Sequence, residues 1–344
     1  MSPTTTSIII SSLATGTIIT ASSHHWLMAW IGLEMNTLAM VPMISKQHHP
    51  RATEAATKYF LTQAAAAAMI LFSSTMNAWL TGTWDIINSA NPMANMLLTM
   101  AIAMKLGLAP VHFWLPEALQ GSTLKTATII ATWQKLAPMA LMIQTSNNLS
   151  TTALLTLGLI STTIGGWAGL NQTQTRKIMA YSSIAHLGWM ATIMTIMPNI
   201  LLLNLLIYLL MTTSMFYTLI MLNSKNIKDL TTSWTTSPSI AAVTMLILLS
   251  LGGLPPLTGF IPKWLILEEL TTQNLMITAT ILAMSSLLSL FFYLRLTYSS
   301  TITLSPNTTT TVHKWRFKQS PNTLLLSLTL PMSTLMLPLA PMLC

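Results

Sequence analysis

Four ionisable side chains stand inside otherwise apolar stretches: Glu34, Lys105, Lys135 and Lys263. A charge at the centre of a bilayer-spanning helix costs at least about 2.5–3.5 kcal/mol, so four carry a cost on the order of 10 kcal/mol before any pairing. Such residues face the inside of a helix bundle and mark ion paths. One glutamate cannot neutralise three lysines, so an inert structural ion pair accounts for only part of the set. Desolvation favours a neutral amine, and a nearby carboxylate favours the ammonium. A lysine held between these influences can release and regain a proton when its partner or its hydration changes, which is what a proton relay requires. Three lysines would repel a metal ion, so no metal site is expected. His112 and His186 lie in or beside apolar stretches, and an imidazole with a reference pKa of about 6.5 suits a relay. For each, a hydrogen-bonded structural role is the alternative. The facing histidine pairs that a b-type haem needs are missing. His24, His25, His48 and His49 mark the two ends of one apolar stretch, where interfacial solvation explains them.

Two of the lysines adjoin helix breakers. The segment GLAPVHFWLPE (107–117) matches GLPPLTGFIPK (253–263) in its glycine, its leucine and two of its prolines. Proline lacks the backbone N–H and clashes with the preceding turn, so a helix should unwind near Pro110 and near Pro255 and Pro256, with Gly107 and Gly253 opening each break. Freed backbone groups in a bilayer must be satisfied by protein or water, so a broken helix implies polar neighbours or a hydrated cavity. A proline kink used only for packing is the alternative for either copy alone. The first copy places its lysine before the break and Glu117 at the end; the second has Lys263 where the first has Glu117.

The surrounding elements must be membrane helices. Only 6% of the 344 residues are charged and 52% are hydrophobic, whereas a soluble domain carries roughly 25% charged residues. The expected fold is all-α, with about eleven transmembrane helices at roughly 3–22, 25–45, 56–79, 93–116, 124–144, 150–170, 175–197, 199–222, 238–266, 274–297 and 322–342. With alternating spans, Lys46, Arg51, Lys58, Lys125, Arg176, Lys177, Lys225, Lys228, Arg295, Lys314, Arg316 and Lys318 all fall on one side, and Asp85, Glu268 and Glu269 on the other. The net charge of +8 therefore reads as the positive-inside rule rather than as nucleic-acid binding. The N-terminus is expected on the positive side and the C-terminus opposite. No basic region or cleavage site of a secretory signal precedes the first span, so internal apolar segments would do the targeting.

The two breaks fall in the fourth and ninth spans, which cross in opposite directions. The expected organisation is a single membrane domain, 1–344, made of two inverted five-helix units, 1–145 and 146–298. A loop and C-terminal helix follow at 299–344. Gly/Pro-interrupted segments at matching places in inverted halves are a pointer to a transport pathway. The single cysteine, Cys344, excludes a thiolate set for zinc or an iron–sulfur cluster. No GxGxxG or P-loop occurs. Any nucleotide or redox cofactor is therefore expected on another protein. The 26 methionines, with abundant leucine and threonine, suggest mitochondrial coding.

WIGLEMNTLAMVP (30–42), KLGLAPVHFWLPEALQG (105–121), TWQKLAP (132–138), KIMAYSSIAHLGWM (177–190) and LGGLPPLTGFIPKW (251–264) together resemble the NADH dehydrogenase subunit 2 family. These are the antiporter-like membrane subunits of mitochondrial respiratory complex I in animals, and the resemblance covers essentially the whole chain. It implies a subunit of a proton-translocating NADH:ubiquinone reductase with no redox chemistry on this chain. NADH, FMN, iron–sulfur clusters and ubiquinone would be bound elsewhere in the complex. It carries the family's glutamate onto Glu34 and its three lysines onto Lys105, Lys135 and Lys263. It places the chain in the mitochondrial inner membrane as a multi-pass protein, N-terminus in the matrix and C-terminus in the intermembrane space. Implied partners are other membrane subunits, including neighbouring antiporter-like ones, and lipids. Bacterial members carry three further N-terminal helices, which this chain begins without. The flank of the first three helices is thus expected to meet a supernumerary subunit. A free-standing cation/proton antiporter of the same fold, or a purely structural subunit, are the competing readings.

Overall fold

The computed structural model describes residues 2–89, 91–303 and 323–339. Among them the chain is helical: α1 (Pro3–Ser22), α2 (Trp26–Ile44), α3 (Pro50–Thr81), α4 (Pro92–Leu106), α5 (Trp114–Gly121), α6 (Leu124–Ala131), α7 (Trp133–Gln144), α8 (Thr151–Gly169), α9 (Thr175–Ile193), α10 (Pro198–Leu222), α11 (Ile227–Thr231), α12 (Ser233–Thr236), α13 (Pro238–Gly252), α14 (Phe260–Thr272), α15 (Met276–Ile302) and α16 (Leu324–Thr334). Six of these, α1, α2, α3, α8, α10 and α15, are each long and apolar enough to cross a bilayer. The other expected spans map onto α9, α16 and the broken pairs α4/α5, α6/α7 and α13/α14. Lys314, Arg316, Lys318, Cys344 and the end of the eleventh span lie outside the described residues.

Proline works in two ways here. Pro3, Pro50, Pro92 and Pro238 start α1, α3, α4 and α13, where the missing N–H costs nothing and the fixed φ suits the first turn. Ser2, His49 and Asn91 cap the first three of these helices by accepting backbone N–H bonds. Pro110, Pro255 and Pro256 instead stand at breaks. The many serines and threonines are compatible with a lipid environment because their hydroxyls bond within their own helix. Examples are Thr17 to the Ala14 carbonyl, Thr99 to Met96, Ser182 to Met179 and Ser250 to Ile247. Such bonds remove the cost of an unpaired polar group in hydrocarbon. Large apolar side chains such as Ile8, Ile18, Phe72, Trp79 and Ile277 point outward, as a lipid-facing surface requires.

The described residues fall into two compact units, one within Met1–Thr162 and Leu187–Pro198, the other within Thr163–His186 and Asn199–Cys344. In the first unit, α1 and α2 cross at Gly16 and Gly32. A methyl added at either would lie within 2.9 Å of the other's carbonyl oxygen, and one at Gly32 would lie 2.7 Å from the Thr20 methyl. The same unit holds a second crossing of this kind, α8 on α9 at Gly158 and Gly188, with Thr162 and Thr192 in the flanking positions. Small residues four apart let membrane helices approach closely. The Gly-x-x-x-Thr pairs 16/20 and 158/162 stand in the first helix of each expected five-helix unit.

The helices depart from the expected spans at particular places. α3 starts at Pro50, six residues early, so Glu54 joins Lys58 on the helix, and the Lys58 ammonium bridges Glu54 and Glu117, each at 2.7 Å. α15 runs to Ile302, five residues past the expected end, so Arg295 stands within the helix rather than at its edge. Its guanidinium donates to the Leu170 and Gln172 carbonyls in the turn that follows α8, within the second unit. The stretch expected as a plain loop after α10 contains α11 and α12. Asp229 accepts the Lys225 and Asn226 backbone N–H groups there, a capping box.

Candidate functional site

The first break begins where α4 ends. Gly107 has φ +84°, a left-handed cap that glycine adopts without steric cost. The Gly107 and Leu108 N–H groups bond back to the Ala103 carbonyl. The peptide bond into Pro110 is cis, and helix resumes at Trp114. The indole Nε1–H of Trp114 donates to the Met104 carbonyl at 3.1 Å, covering one acceptor that the break sets free. The Gly107 N–H also reaches this carbonyl, at 3.2 Å, so losing the indole bond costs the net worth of one hydrogen bond, about 0.5–1.5 kcal/mol. Trp114→Phe should therefore destabilise the fold by about that amount, seen as a lower thermal midpoint of the purified protein in detergent. An unchanged midpoint would show that the cap carries no energy.

Lys105 lies in the last turn of α4 and is 5% exposed. The negative end of a helix macrodipole favours a cation at this position. Around it, α2, α3, α6 and α7 supply the wall of a cavity with room for about one water. The polar lining is Asn36, Thr37, Tyr59, Gln63, Lys105, Gln134 and Lys135, with Trp114 beside them. Gln134 joins three helices: its Oε1 accepts from the Tyr59 hydroxyl at 3.3 Å and its Nε2 donates to the Asn36 carbonyl at 3.3 Å. Lys135, one residue on, is 4% exposed.

Both polar side-chain atoms of Asn36, the Gln63 Nε2 and the Lys105 Nζ are buried without a protein hydrogen-bond partner among the described residues. Buried polar groups that protein leaves unpaired are normally met by water. Glu34 is close enough to act electrostatically on Lys105 and Tyr59. It forms no direct ion pair with Lys105 among the described residues; its Oε2 accepts from the Thr37 hydroxyl at 2.9 Å. An amine biased by a carboxylate but not locked to it can change protonation state. A bidentate pair could not do so without first breaking.

The second break repeats the backbone and changes the chemistry. α13 ends at Gly253, φ +75°, and the Pro255–Pro256 bond is cis. Lys263, on α14, donates from Nζ to the Gly252 carbonyl at 2.8 Å. The second lysine thus reaches back across its break to the open C-terminal end of the preceding half-helix. Both lysines therefore sit at a half-helix C-terminus, Lys105 as part of the last turn and Lys263 as its cap. Thr258, buried in the break, donates to the Ser333 carbonyl of α16.

The remaining expected residues are dispersed. His112 is buried in the first break with Nδ1 3.2 Å from the Pro110 carbonyl and its ring 4.4 Å from that of Phe113. It does not line the Lys105 cavity. His186 belongs to the second unit, buried against Tyr208 with ring centroids 5.7 Å apart. The structure thus brings Lys105 and Lys135 to one cavity, couples Glu34 to Lys105, and puts Lys263 and His186 in the other unit. Asn36, Gln63 and Gln134 were not singled out by sequence. The available signal was an amide inside an apolar span, clearest at Gln63, which precedes five alanines.

The chain was compared with known proteins. The family model described as NADH:quinone oxidoreductase/Mrp antiporter, TM, matches residues 23–289, and that described as NADH dehydrogenase subunit 2 C-terminus matches residues 290–344. The NADH-ubiquinone oxidoreductase chain 2 of Xenopus laevis is 58% identical, with 99% of each chain covered. That of Danio rerio is 55% identical, over 99% of this chain and 98% of the relative. Among solved structures, a chain of respiratory complex I from Thermus thermophilus, determined with bound aureothin, superposes with a TM-score of 0.82. It is 28% identical, over 97% of this chain and 79% of that one. A chain of an archaeal membrane-bound sulfane sulfur reductase superposes with a TM-score of 0.84 at 16% identity, over 97% of this chain and 72% of that one, a likeness of fold alone. By these matches, and with two broken helices each presenting a lysine at a half-helix end, the chain belongs to the NADH-ubiquinone oxidoreductase chain 2 family of antiporter-like membrane proteins.

Proposed function

We infer that this chain is the antiporter-like, proton-translocating membrane subunit of NADH:ubiquinone oxidoreductase. The observation that carries the reading is Lys105: a buried amine at the open end of a half-helix, in a polar cavity shared with Lys135, biased by Glu34 without being paired to it. Glu34 sets the charge state of Lys105. Lys135 receives the proton through the Asn36, Gln63 and Gln134 cavity and passes it toward the second half. Lys263 exchanges it toward the side lacking basic residues. His112 and His186 are auxiliary members, each supported by burial beside a break or a tyrosine. The chain holds no redox group in this reading. NADH, FMN, iron–sulfur clusters and ubiquinone belong to other subunits, and electron transfer there drives the lysines by changing the field at Glu34.

The two-unit organisation, 1–145 and 146–298 in inverted topology with 299–344 appended, is supported by the matching left-handed glycine caps and by the recurring Gly-x-x-x-Thr crossings. The copies are not equivalent in charge. Two residues beyond its crossing glycine, α2 carries Glu34 and α9 carries Met190, so only the first copy has an acid to bias its lysine. The proposed location is the mitochondrial inner membrane, N-terminus in the matrix, among other membrane subunits of the complex. The exposed apolar faces of α1 and α3 meet a neighbouring subunit and lipid.

Two measurements test this. Native sizing after mild detergent extraction should find the chain in an assembly an order of magnitude larger than its 37.6 kDa. A lone transporter of that mass would favour the free-standing antiporter. In the assembled complex, Lys135→Met should lower proton movement per NADH oxidised severalfold, read with a pH-sensitive dye in proteoliposomes. Pumping at the parental ratio would overturn the relay and leave the structural-subunit reading.

A further inference from the structure

The end of the first unit away from Lys46 and Arg51 holds a second polar cavity. The segment after α3 is stitched over it. The Trp26 N–H donates to the Trp84 carbonyl and the Ile86 N–H to His24, His25 stacks on Trp84, and the Asn77 and Asn148 side chains donate to the Asn88 and Ile87 carbonyls. Beneath lies room for about one water, lined by Trp26, Ser73, Ser74, Asn77, Ser89 and Asn95 with Ala94 and Leu98. Three buried polar atoms on this wall have no protein partner among the described residues: Trp26 Nε1, Asn77 Oδ1 and Ser89 Oγ. The Trp26 and Asn77 side chains are 3% and 2% exposed. An indole N–H only donates and an amide oxygen only accepts, so a water between them satisfies both.

The position of this cavity relative to Lys105 is fixed by the α3–α4 seam. These helices run antiparallel in contact. The register that sets Gln63 with Lys105 around the first cavity, and Ser74 with Asn95 around the second, sets Ala67 against Ala101 and Ile70 against Leu98 between them. All four are buried. The ten residues from Gln63 to Ser73 span about 15 Å of helix. Short apolar constrictions of this kind close aqueous paths by excluding water.

We propose that the cavity beneath residues 82–89 is a hydrated vestibule for protons, on the side of the first unit opposite its basic end. A dry plug of Ala67, Ile70, Leu98 and Ala101 shuts it off from the Lys105 cavity. The first unit then has polar compartments at both ends of one seam, and the plug is what prevents protons from crossing it without turnover. The proposal rests on the reading of Lys105 as a proton carrier, and the two fail in different measurements.

The test is passive leak. The assembled complex, reconstituted in liposomes with an imposed pH gradient and no NADH, is followed with a pH-sensitive dye. Ile70→Asn, which wets the plug, should dissipate the gradient severalfold faster than the parent. Adding Ser74→Val, which dries the vestibule's inner wall and leaves its lid bonds intact, should restore tightness. An assembled Ile70→Asn complex as tight as the parent overturns the plug, and a leak untouched by Ser74→Val overturns the vestibule. Should Ile70→Asn fail to assemble, Leu98→Ser on the facing helix gives the same readout. The Lys105 reading fails separately, if Lys105→Met pumps normally during NADH oxidation.

Discussion

Lys263→Gln should leave the complex assembled and still able to oxidise NADH, yet reduce the protons moved per NADH by roughly tenfold. Lys263 has two tasks that this substitution separates. Its Nζ caps the Gly252 carbonyl at 2.8 Å, and that acceptor belongs to a half-helix end whose carbonyls the break has freed. The glutamine amide still offers N–H donors to the Gly252 carbonyl, so the backbone demand can be met. What it cannot do is bind and release a proton. Lys263→Met removes both functions, and its extra loss should appear as stability. Leaving a buried carbonyl unpaired costs about 1–3 kcal/mol, seen as a lower thermal midpoint. Lys263→Arg keeps a donor and a fixed charge, and should pump as poorly as Lys263→Gln because a guanidinium does not deprotonate in proteins. Proton-to-NADH ratios in proteoliposomes decide among these. Parental pumping by an assembled Lys263→Gln complex would show that the lysine is only a helix cap.

The legible parts of this molecule are those where a residue type is expensive in lipid. Glu34, Lys105, Lys135 and Lys263 stand out because a bilayer penalises charge, and the breaks at 107–113 and 253–259 because glycine and proline interrupt a helix in a way no bilayer would tolerate unassisted. The amides of Asn36, Gln63 and Gln134 are cheaper and so less conspicuous. Only the folded packing shows that helices from distant parts of the sequence bring them to one cavity. His112 illustrates the converse. Its type and place suggest a relay member, and the break sets its ring against Phe113 and the Pro110 carbonyl, outside the Lys105 cavity, a contact set by loop conformation that no spacing rule foresees. The Gly16/Gly32 and Gly158/Gly188 crossings were equally hidden, since a glycine in a membrane helix signals close packing only once its partner is known. Lys58 read as a loop charge because it stands within a turn of where its apolar run begins, whereas α3 starts at Pro50, well before it. His49 and Pro50 supply the cap and first turn that extend it.

Gly259→Ala should prevent assembly, although Gly259 sits at an ordinary φ of −64° that any residue can adopt. Space, not conformation, requires the glycine. A methyl built there would lie 1.8 Å from the Ser250 carbonyl oxygen and 2.9 Å from its carbon, with the Met211 sulfur 3.3 Å away. The methionine could yield, but the carbonyl cannot, because it belongs to the last turn of α13. Relief requires the two half-helices to separate, which would pull Lys263 off the Gly252 carbonyl and Thr258 off the Ser333 carbonyl. Overpacking a tight core costs about 1–3 kcal/mol when side chains can adjust, and a backbone contact this close exceeds that range. The first copy gives the internal control. There the matching position is Phe113, whose ring is 70% exposed, and the matching carbonyl, that of Met104, is capped by the Trp114 indole. Phe113→Ala should therefore leave the level of assembled complex within about twofold of the parent, as expected of a surface change worth within about ±0.5 kcal/mol. Gly259→Ala should lower that level at least about tenfold, in keeping with a cost above 1.4 kcal/mol. Quantitative native electrophoresis of membranes carrying each variant reads both. A Gly259→Ala complex at the parental level would mean that the second break has slack along α13, and that the close approach at Ser250 is not what holds Lys263 at its half-helix end.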